Sequence, residues 1–184
     1  MDNIHFGANF IGRVPVKKKN LRGKFETQKV SLVLIDTLNK NDILALKHTG
    51  ETWKDFATPI YEDAKMFYKN NERSNVHHIL ALTEQTDNFE KLQPEKILAE
   101  SSVSAFPFSK SINIDDFQVH PKHNYFAQDR QFKKVGEALL NAIKRIFDGK
   151  EIILHAVPKS IDFYTKNEFR PIARDSHNMH YCKL

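Results

Sequence analysis

The stretch IDDFQVHP, Ile114 to Pro121, and the run QFKKVGEALLNAIKRIF, Gln131 to Phe147, decide the reading of this 184-residue chain. In the second run Phe132, Val135, Leu139, Ala142, Ile143 and Ile146 recur at intervals of three and four. Glu137, Asn141, Lys144 and Arg145 fall opposite, which predicts an amphipathic helix over 131–147 that stops at Asp148-Gly149. The first run predicts a strand with a defect. Ile112 and Ile114 share one parity and Phe117 and Val119 the other, so a bulge near Asp115-Asp116 is needed to bring all four to one face. A strand ending in proline, then a basic loop opening an amphipathic helix, is how a chain cradles a diphosphate on free backbone N–H groups. The pattern points to a nucleotide-containing cofactor.

Working outward, Val30 to Asp36 (VSLVLID) reads as a strand, and Asn39, with Asp42 in the next turn, caps a short helix through Leu46. Phe56 to Tyr68 places Ile60, Ala64, Phe67 and Tyr68 on one side of a second helix, with Pro59 tolerated in its first turn. Val76 to Thr83 and Lys96 to Phe106 read as paired strands. Beyond the long helix, EIILHAVPKSIDFYTKNEFRPI, Glu151 to Ile172, is taken as a strand, a short helix with a Phe-Tyr pair and another strand on the family resemblance given below. The order is strand, two helices, three strands, helix, strand, helix, two strands.

Composition agrees. A chain of this length with 40% hydrophobic and 28% charged residues suits one globular domain. The reading is a basic lead-in over 1–29, packed on the domain or frayed from it, and a single domain over 30–184. Cys182 is the one cysteine, so no internal disulfide forms. No apolar run approaches the ~20 residues of a membrane span, and the N-terminus lacks the order of a signal peptide, so a cytoplasmic protein with no membrane partner is expected. The net charge of +5 is uneven: Arg13, Lys17, Lys18, Lys19, Arg22, Lys24 and Lys29 crowd the lead-in with Glu26 as the acid among them. Such a run fits an arm for nucleic acid or an acidic partner, or a solvated terminus.

The segment IDDFQVHP followed by Gln131, Phe132, Lys133, Lys134, Val135 and Gly136 resembles the acyl-coenzyme A signature of the GNAT superfamily of N-acetyltransferases. That pattern is Gln or Arg, two residues, Gly, one residue, then Gly or Ala. Gln131 and Gly136 match, with Arg130 as a rival start. Lys134 stands in place of the first glycine, and Glu168 stands where the family has Gly before Phe169. Position 134 is read as helical backbone open to any residue, so that the N–H groups of Lys133 to Gly136 face an anion. The resemblance implies an α+β fold of α/β/α layers, with a mixed, mostly antiparallel sheet of six or seven strands and helices on both faces. It implies acetyl-CoA as co-substrate, with its pantetheine arm between the splayed strands that carry Phe117, Gln118 and Val119 and residues 152–157, and with Phe163 nearby.

The chemistry so implied is direct acetyl transfer to a primary amine. Tyr164 matches the family's frequent proton donor, and a phenol near pKa ~10 differs little from a leaving thiol near ~8.5. The alternative is that Tyr164 packs beside Phe163 in the core. Asp115 and Asp116 are candidates to bind or deprotonate the amine, or a local fit at the kink. One branch of the superfamily has its base at the position of Asn113, and asparagine accepts no proton usefully. His120 reads as structural. His77 and His78 point to opposite faces, and His177, His180 and Cys182 converge too little for zinc, so no metal is expected. Two classes stay open: an N-acetyltransferase acting on a small molecule or on the amino group of a protein or aminoacyl-tRNA, and a catalytically inactive binding module. Monomer and homodimer are equally open. The resemblance implies that the acceptor is set by the loops around Lys47 to Thr58 and Arg174 to Asn178; His48, Glu51, Trp53 and Asp55 are candidates to line that mouth, or belong to an exposed polar loop.

Overall fold

The computed structural model describes residues 7–72, 74–124, 126–173 and 176–182. The chain runs β1 (Asn9–Lys19), β2 (Phe25–Leu34), α1 (Lys40–Trp53), α2 (Ala57–Asn70), β3 (His77–Thr83), β4 (Ile97–Ser104) and β5 (Ser111–Val119). It continues through β6 (Phe132–Lys133), α3 (Val135–Ile146), β7 (Glu151–His155), α4 (Ile161–Lys166), β8 (Arg170–Pro171) and β9 (Asn178–Tyr181). The strands form one sheet in the order β6-β1-β2-β3-β4-β5-β7-β9-β8, antiparallel throughout except for the parallel pair β5-β7. Nine strands replace the six or seven expected, because β1 and β6 add to the seven strands of the order read from sequence.

Two cores cover the two faces, as the expected layers require. α3 and α4 lie over Val14, Val30, Leu80, Val103, Ile112 and Ile152, while α1 and α2 lie over Val33, Ile35, Ile79 and Ala81. The inward row of α3 is Val135, Ala138, Leu139, Ala142 and Ile143, while Ile146, read onto the same face from sequence, is exposed at the helix end. Burying Leu139, Leu140 and Ile143 contributes about 1.5–3 kcal/mol each. The Asn39 side chain accepts from the N–H groups of Asn41 and Asp42, so the cap is where the sequence put it. The helix it opens runs to Trp53, past the expected end at Leu46, because Thr49, Gly50 and Trp53 continue the buried row. Glycine at 50 has a packing cause: a Cβ there would come 3.2 Å from Tyr61 Cβ and 3.4 Å from the Ala57 carbonyl, where α1 crosses α2.

Three readings are corrected. The basic lead-in, of which residues 1–6 lie outside those described, is strand β1 and the start of β2, paired from Asn9 opposite Leu34 to Lys19 opposite Phe25. Its Val14 and Val16 are core residues, hidden from a local reading by the charges around them. The long helix begins at Val135, since Phe132 and Lys133 pair with Lys18 and Lys17 as β6, and the Gln131 carbonyl accepts from the Lys19 N–H at 2.8 Å. Lys134 is not helical: its φ of 63° is left-handed, and Glu168 shares that region at 70°.

Both positions where the superfamily has glycine thus keep a glycine-like backbone while carrying a Cβ, at a cost of about 1–2 kcal/mol each. Glu168→Gly should therefore raise the free energy of unfolding by about 1 kcal/mol in urea titration; an unchanged or lowered midpoint would show that the turn is unstrained.

Candidate active site

The parallel pair β5-β7 joins residues 111–114 to 151–154 and goes no further. Beyond Ile114 the chain of β5 carries one extra residue. Ser102 pairs with Asp116 and Val103 with Ile114, so Asp115 is the bulged position, as the parity argument required. The rest of β5 keeps its ladder with β4, while the chain after β7 stays on the β9 side, Ala156 donating to the His177 carbonyl, before a 3-10 turn over Pro158–Ser160 leads into α4. A gap therefore opens between the two strands. Its polarity follows from the ladder. The His120 N–H donates to Leu98 across β4 at 2.9 Å, and main-chain groups alternate along a strand, so Phe117 and Val119 direct their N–H and C=O groups into the gap. The Gln118 side-chain amide donates to the Val119 carbonyl at 3.0 Å.

The first turn of α3 faces the same end of β5. No side chain caps it, so the N–H groups of Val135, Gly136 and Glu137 have no intrahelical acceptor. This shifts the expected cradle of Lys133 to Gly136 by one residue, because Lys133 belongs to the ladder with β1. A Cβ on Gly136 would stand 3.2 Å from Val119 Cγ2 and 3.3 Å from Phe163 Cζ, so helix, strand and α4 meet there without room for a side chain. The Phe163 ring thus lies at the head of the gap, 6.2 Å from Phe117 and 5.1 Å from Tyr164 between centroids.

Tyr164 is 7% exposed, ringed by Phe117, Phe163 and Phe169. Burial pushes its phenol well above the ordinary value, so the small mismatch with a thiol expected from sequence is larger here. The group keeps its proton across the working pH range. Lys144, from α3, holds this element in place: its ammonium donates to the Asn167 carbonyl at the end of α4 at 2.6 Å and lies 3.7 Å over the Tyr181 ring.

On the opposite face, the bulge sets Asp115 and Asp116 side by side toward α2. Asp115 accepts from Ser104, with His77 Nδ1 at 4.0 Å, and Asp116 lies 3.5 Å from Ser102 Oγ. Burial, with the negative charges of Asp63 and Asp115, raises Asp116 to about 6 against the opposing Ser102 hydrogen bond. Asp63 on α2 is raised by burial as well. His77 and His78 do face opposite layers, toward Phe67 and Phe147 respectively. His180 bonds Glu151 at 2.7 Å and His177 packs on His155, away from the gap. His120 is structural: its Nδ1 accepts from the Lys122 N–H, its ring packs on Trp53 at 4.8 Å, and burial lowers it to about 4. Trp53, expected at an open mouth, is therefore a buried wall, while His48, Glu51 and Asp55 are exposed.

No family model matches the chain, and no curated protein matches it. Solved structures do. A variant of KacT aligns over 84% of this chain and 95% of its own at a TM-score of 0.56 and 14% identity. AtaT complexed with acetyl-methionyl-tRNAfMet aligns over 83% and 94% at 0.54 and 9%. The Bacillus subtilis N-acetyltransferase YlbP, in complex with coenzyme A, aligns over 84% and 97% at 0.51 and 12%. This chain has the GNAT fold.

Within that GNAT fold one polar residue escaped the sequence reading. Glu100 on β4, 0% exposed, sits opposite Gln118 and reaches Thr49 Oγ1 of α1 at 3.0 and 3.2 Å. Thr49 also lies 2.9 Å from the Leu46 carbonyl, and its single hydroxyl hydrogen can serve only one of them. The consistent arrangement has Thr49 donating to Leu46 and a protonated Glu100 donating to Thr49. Burial accordingly pushes Glu100 up to about 8. Nothing local in AESSVS marks that position, because its burial is set by α1 packing from afar. No helix among the described residues is long and apolar enough to cross a membrane.

A folded-state pKa of about 8 against 4.5 unfolded means that the native state binds the extra proton, so Glu100 makes stability fall as pH rises between those values. Glu100→Gln should leave Tm near wild type at pH 4.5 and raise it increasingly toward pH 8.5. Parallel melting curves for the two proteins would show that Glu100 does not titrate in this window.

Proposed function

We propose that the chain is an acetyl-coenzyme A dependent N-acetyltransferase that acylates a primary amine by direct attack on the thioester. The observation that supports it is the end of β5-β7 pairing at Ile114 and Leu154, beside an uncapped helix start. An extended arm with amide groups adds to an exposed strand edge, and a diphosphate suits free helical N–H groups. Gln118, Phe132 and Val135 support the edge and the turn, while Lys133 and Lys134 add positive charge outside it; Gln131 is exposed. Bound there, acetyl-CoA supplies an acyl group activated as a thioester.

The chain's own residues do the rest. The N–H groups of Phe117 and Val119 are the donors offered to the acyl oxygen. The acceptor, a small amine or the amino group of a protein or aminoacyl-tRNA, arrives as an ammonium on the α2 face. There the carboxylates of Asp115 and Asp116 attract it, and Asp116, ionised above about pH 6, accepts its proton. Tyr164 holds the proton for the departing sulfur.

A second reading rests on Phe163, whose ring covers the opening turn of α3: the GNAT fold would then serve as a binding module without catalysis. Acetyl-CoA separates the two. At 100 times its dissociation constant it should stabilise the protein by about 2.7 kcal/mol, read as a melting shift; no shift at millimolar cofactor favours the module. Tyr164→Phe should lower kcat by about 100-fold with little change in acetyl-CoA affinity, and unchanged turnover removes Tyr164 from the mechanism. The rate should rise as pH rises through about 6, and Asp116→Asn should remove that limb; if it survives, Asp115→Asn is the next variant to lose it.

A further inference from the structure

Side chains alternate along β1. Val14 and Val16 are buried in the α3 core and Phe132 of β6 joins them there, so the residues between them stand on the other side of the sheet, the side of α1 and α2. Those helices pack farther along, on Val33, Ile35, Ile79 and Ala81. The loop after β3 covers that side at Ser31, whose hydroxyl donates to the Gln85 carbonyl, and at Arg13, which donates to the Thr86 carbonyl. From there to the hairpin tip three rows stand across the strands: Pro15 with Lys29, Thr27 with Lys17 and Lys133, and Phe25 with Lys19. Pro15, Thr27 and Lys29 are exposed and the others are partly exposed. Strand geometry spaces the cations of this face roughly 5 to 7 Å apart. Lys17 and Lys133, opposite one another in an antiparallel ladder, repel. Lys19 is paired with Asp129, but among the described residues no carboxylate pairs with Lys17, Lys29 or Lys133. Lys17 Nζ donates to Thr27 Oγ1 at 2.7 Å, which leaves the threonine hydrogen free to donate, and Lys133 Nζ rests 4.0 Å over the Phe25 ring.

We propose that this outer face of the β1-β2 hairpin, with Lys17, Lys29, Lys133 and the Thr27 hydroxyl, docks the phosphodiester backbone of an RNA. A protein partner needs an apolar centre to bury, and here the one aromatic ring is already covered by an ammonium group. A polyanion needs only what the face offers: cations in a regular array, without opposing carboxylates, whose mutual repulsion is relieved when phosphates lie between them. The Thr27 hydrogen is placed to bond a phosphate oxygen or a ribose 2′-hydroxyl, and RNA alone carries the second. With β6 along its side the hairpin is three strands broad at Lys17, wider than the two-stranded ribbon that the major groove of B-DNA admits, so it meets the backbone from outside. The face lies away from the α3 layer, so RNA docking and the acetyl-CoA reading stand or fall separately.

The test is fluorescence anisotropy of a labelled RNA stem-loop titrated with the full chain over a salt series, with a DNA stem-loop of the same sequence, an oligoglutamate peptide and phosphatidylserine vesicles as competitors. Wild type should bind the RNA with log affinity falling against log salt at a slope of roughly −2 to −3, as two or three neutralised phosphates require. Lys17→Ala, Lys29→Ala and Lys133→Ala should each weaken binding several-fold and flatten that slope by about one, while Lys17→Arg keeps both. Lys69→Ala, an exposed lysine on α2, should change neither. No binding of RNA at low salt, binding that none of the three alanine variants weakens, or stronger competition by DNA, peptide or vesicles than by unlabelled RNA overturns the inference, and a melting shift with acetyl-CoA in the same protein would be unaffected by that failure.

Discussion

The bulge at Asp115 is the constraint on which the rest depends. One extra residue in β5 does three things at once, because side chains alternate along a strand and an inserted residue reverses their order. It returns Phe117 and Val119 to the α3 face, where they pack beside Phe163. It leaves Asp115 and Asp116 together on the α2 face, against Ser104 and Ser102. It also coincides with the point where β5 and β7 part, so that main-chain groups on one side of β5 are released within the sheet. Outward main-chain groups on β5, a pair of adjacent carboxyl groups and an aromatic wall are consequences of the same insertion.

Much of this was legible because it is local. The parity switch between Ile114 and Phe117 is a pattern of four residues, and only a bulge reconciles it with one buried face. The helix from Val135 to Ile146 and the cap at Asn39 are likewise short-range, since periodicity and one polar side chain settle them. The superfamily resemblance added the splayed pair.

What was not legible depends on partners distant in the chain. β1 is rich in lysine and became a strand because Val14 and Val16 find the α3 layer while its charges point outward, a trade invisible to local composition. The two residues of β6 are a strand through contact with Lys17 and Lys18, more than a hundred positions earlier. The left-handed backbone of Lys134 was misread as helical because it is the non-helical residue preceding the first turn, and lysine gives no warning of it. Glu100 shows the same blindness for chemistry: its perturbed state comes from α1 laid over it, and the same six letters on a surface strand would titrate normally.

The seam between β5 and β7 also has a mechanical meaning. Six strands on one side and three on the other are joined edge to edge by four residue pairs, 111–114 with 151–154. On the three-strand side, α4 and Tyr181 are tied across by Lys144 from α3. At this seam the sheet is continuous through four pairs only, and a molecule lying in the gap with its amides bonded to β5 would act as a rivet along the length that the protein's own backbone leaves open.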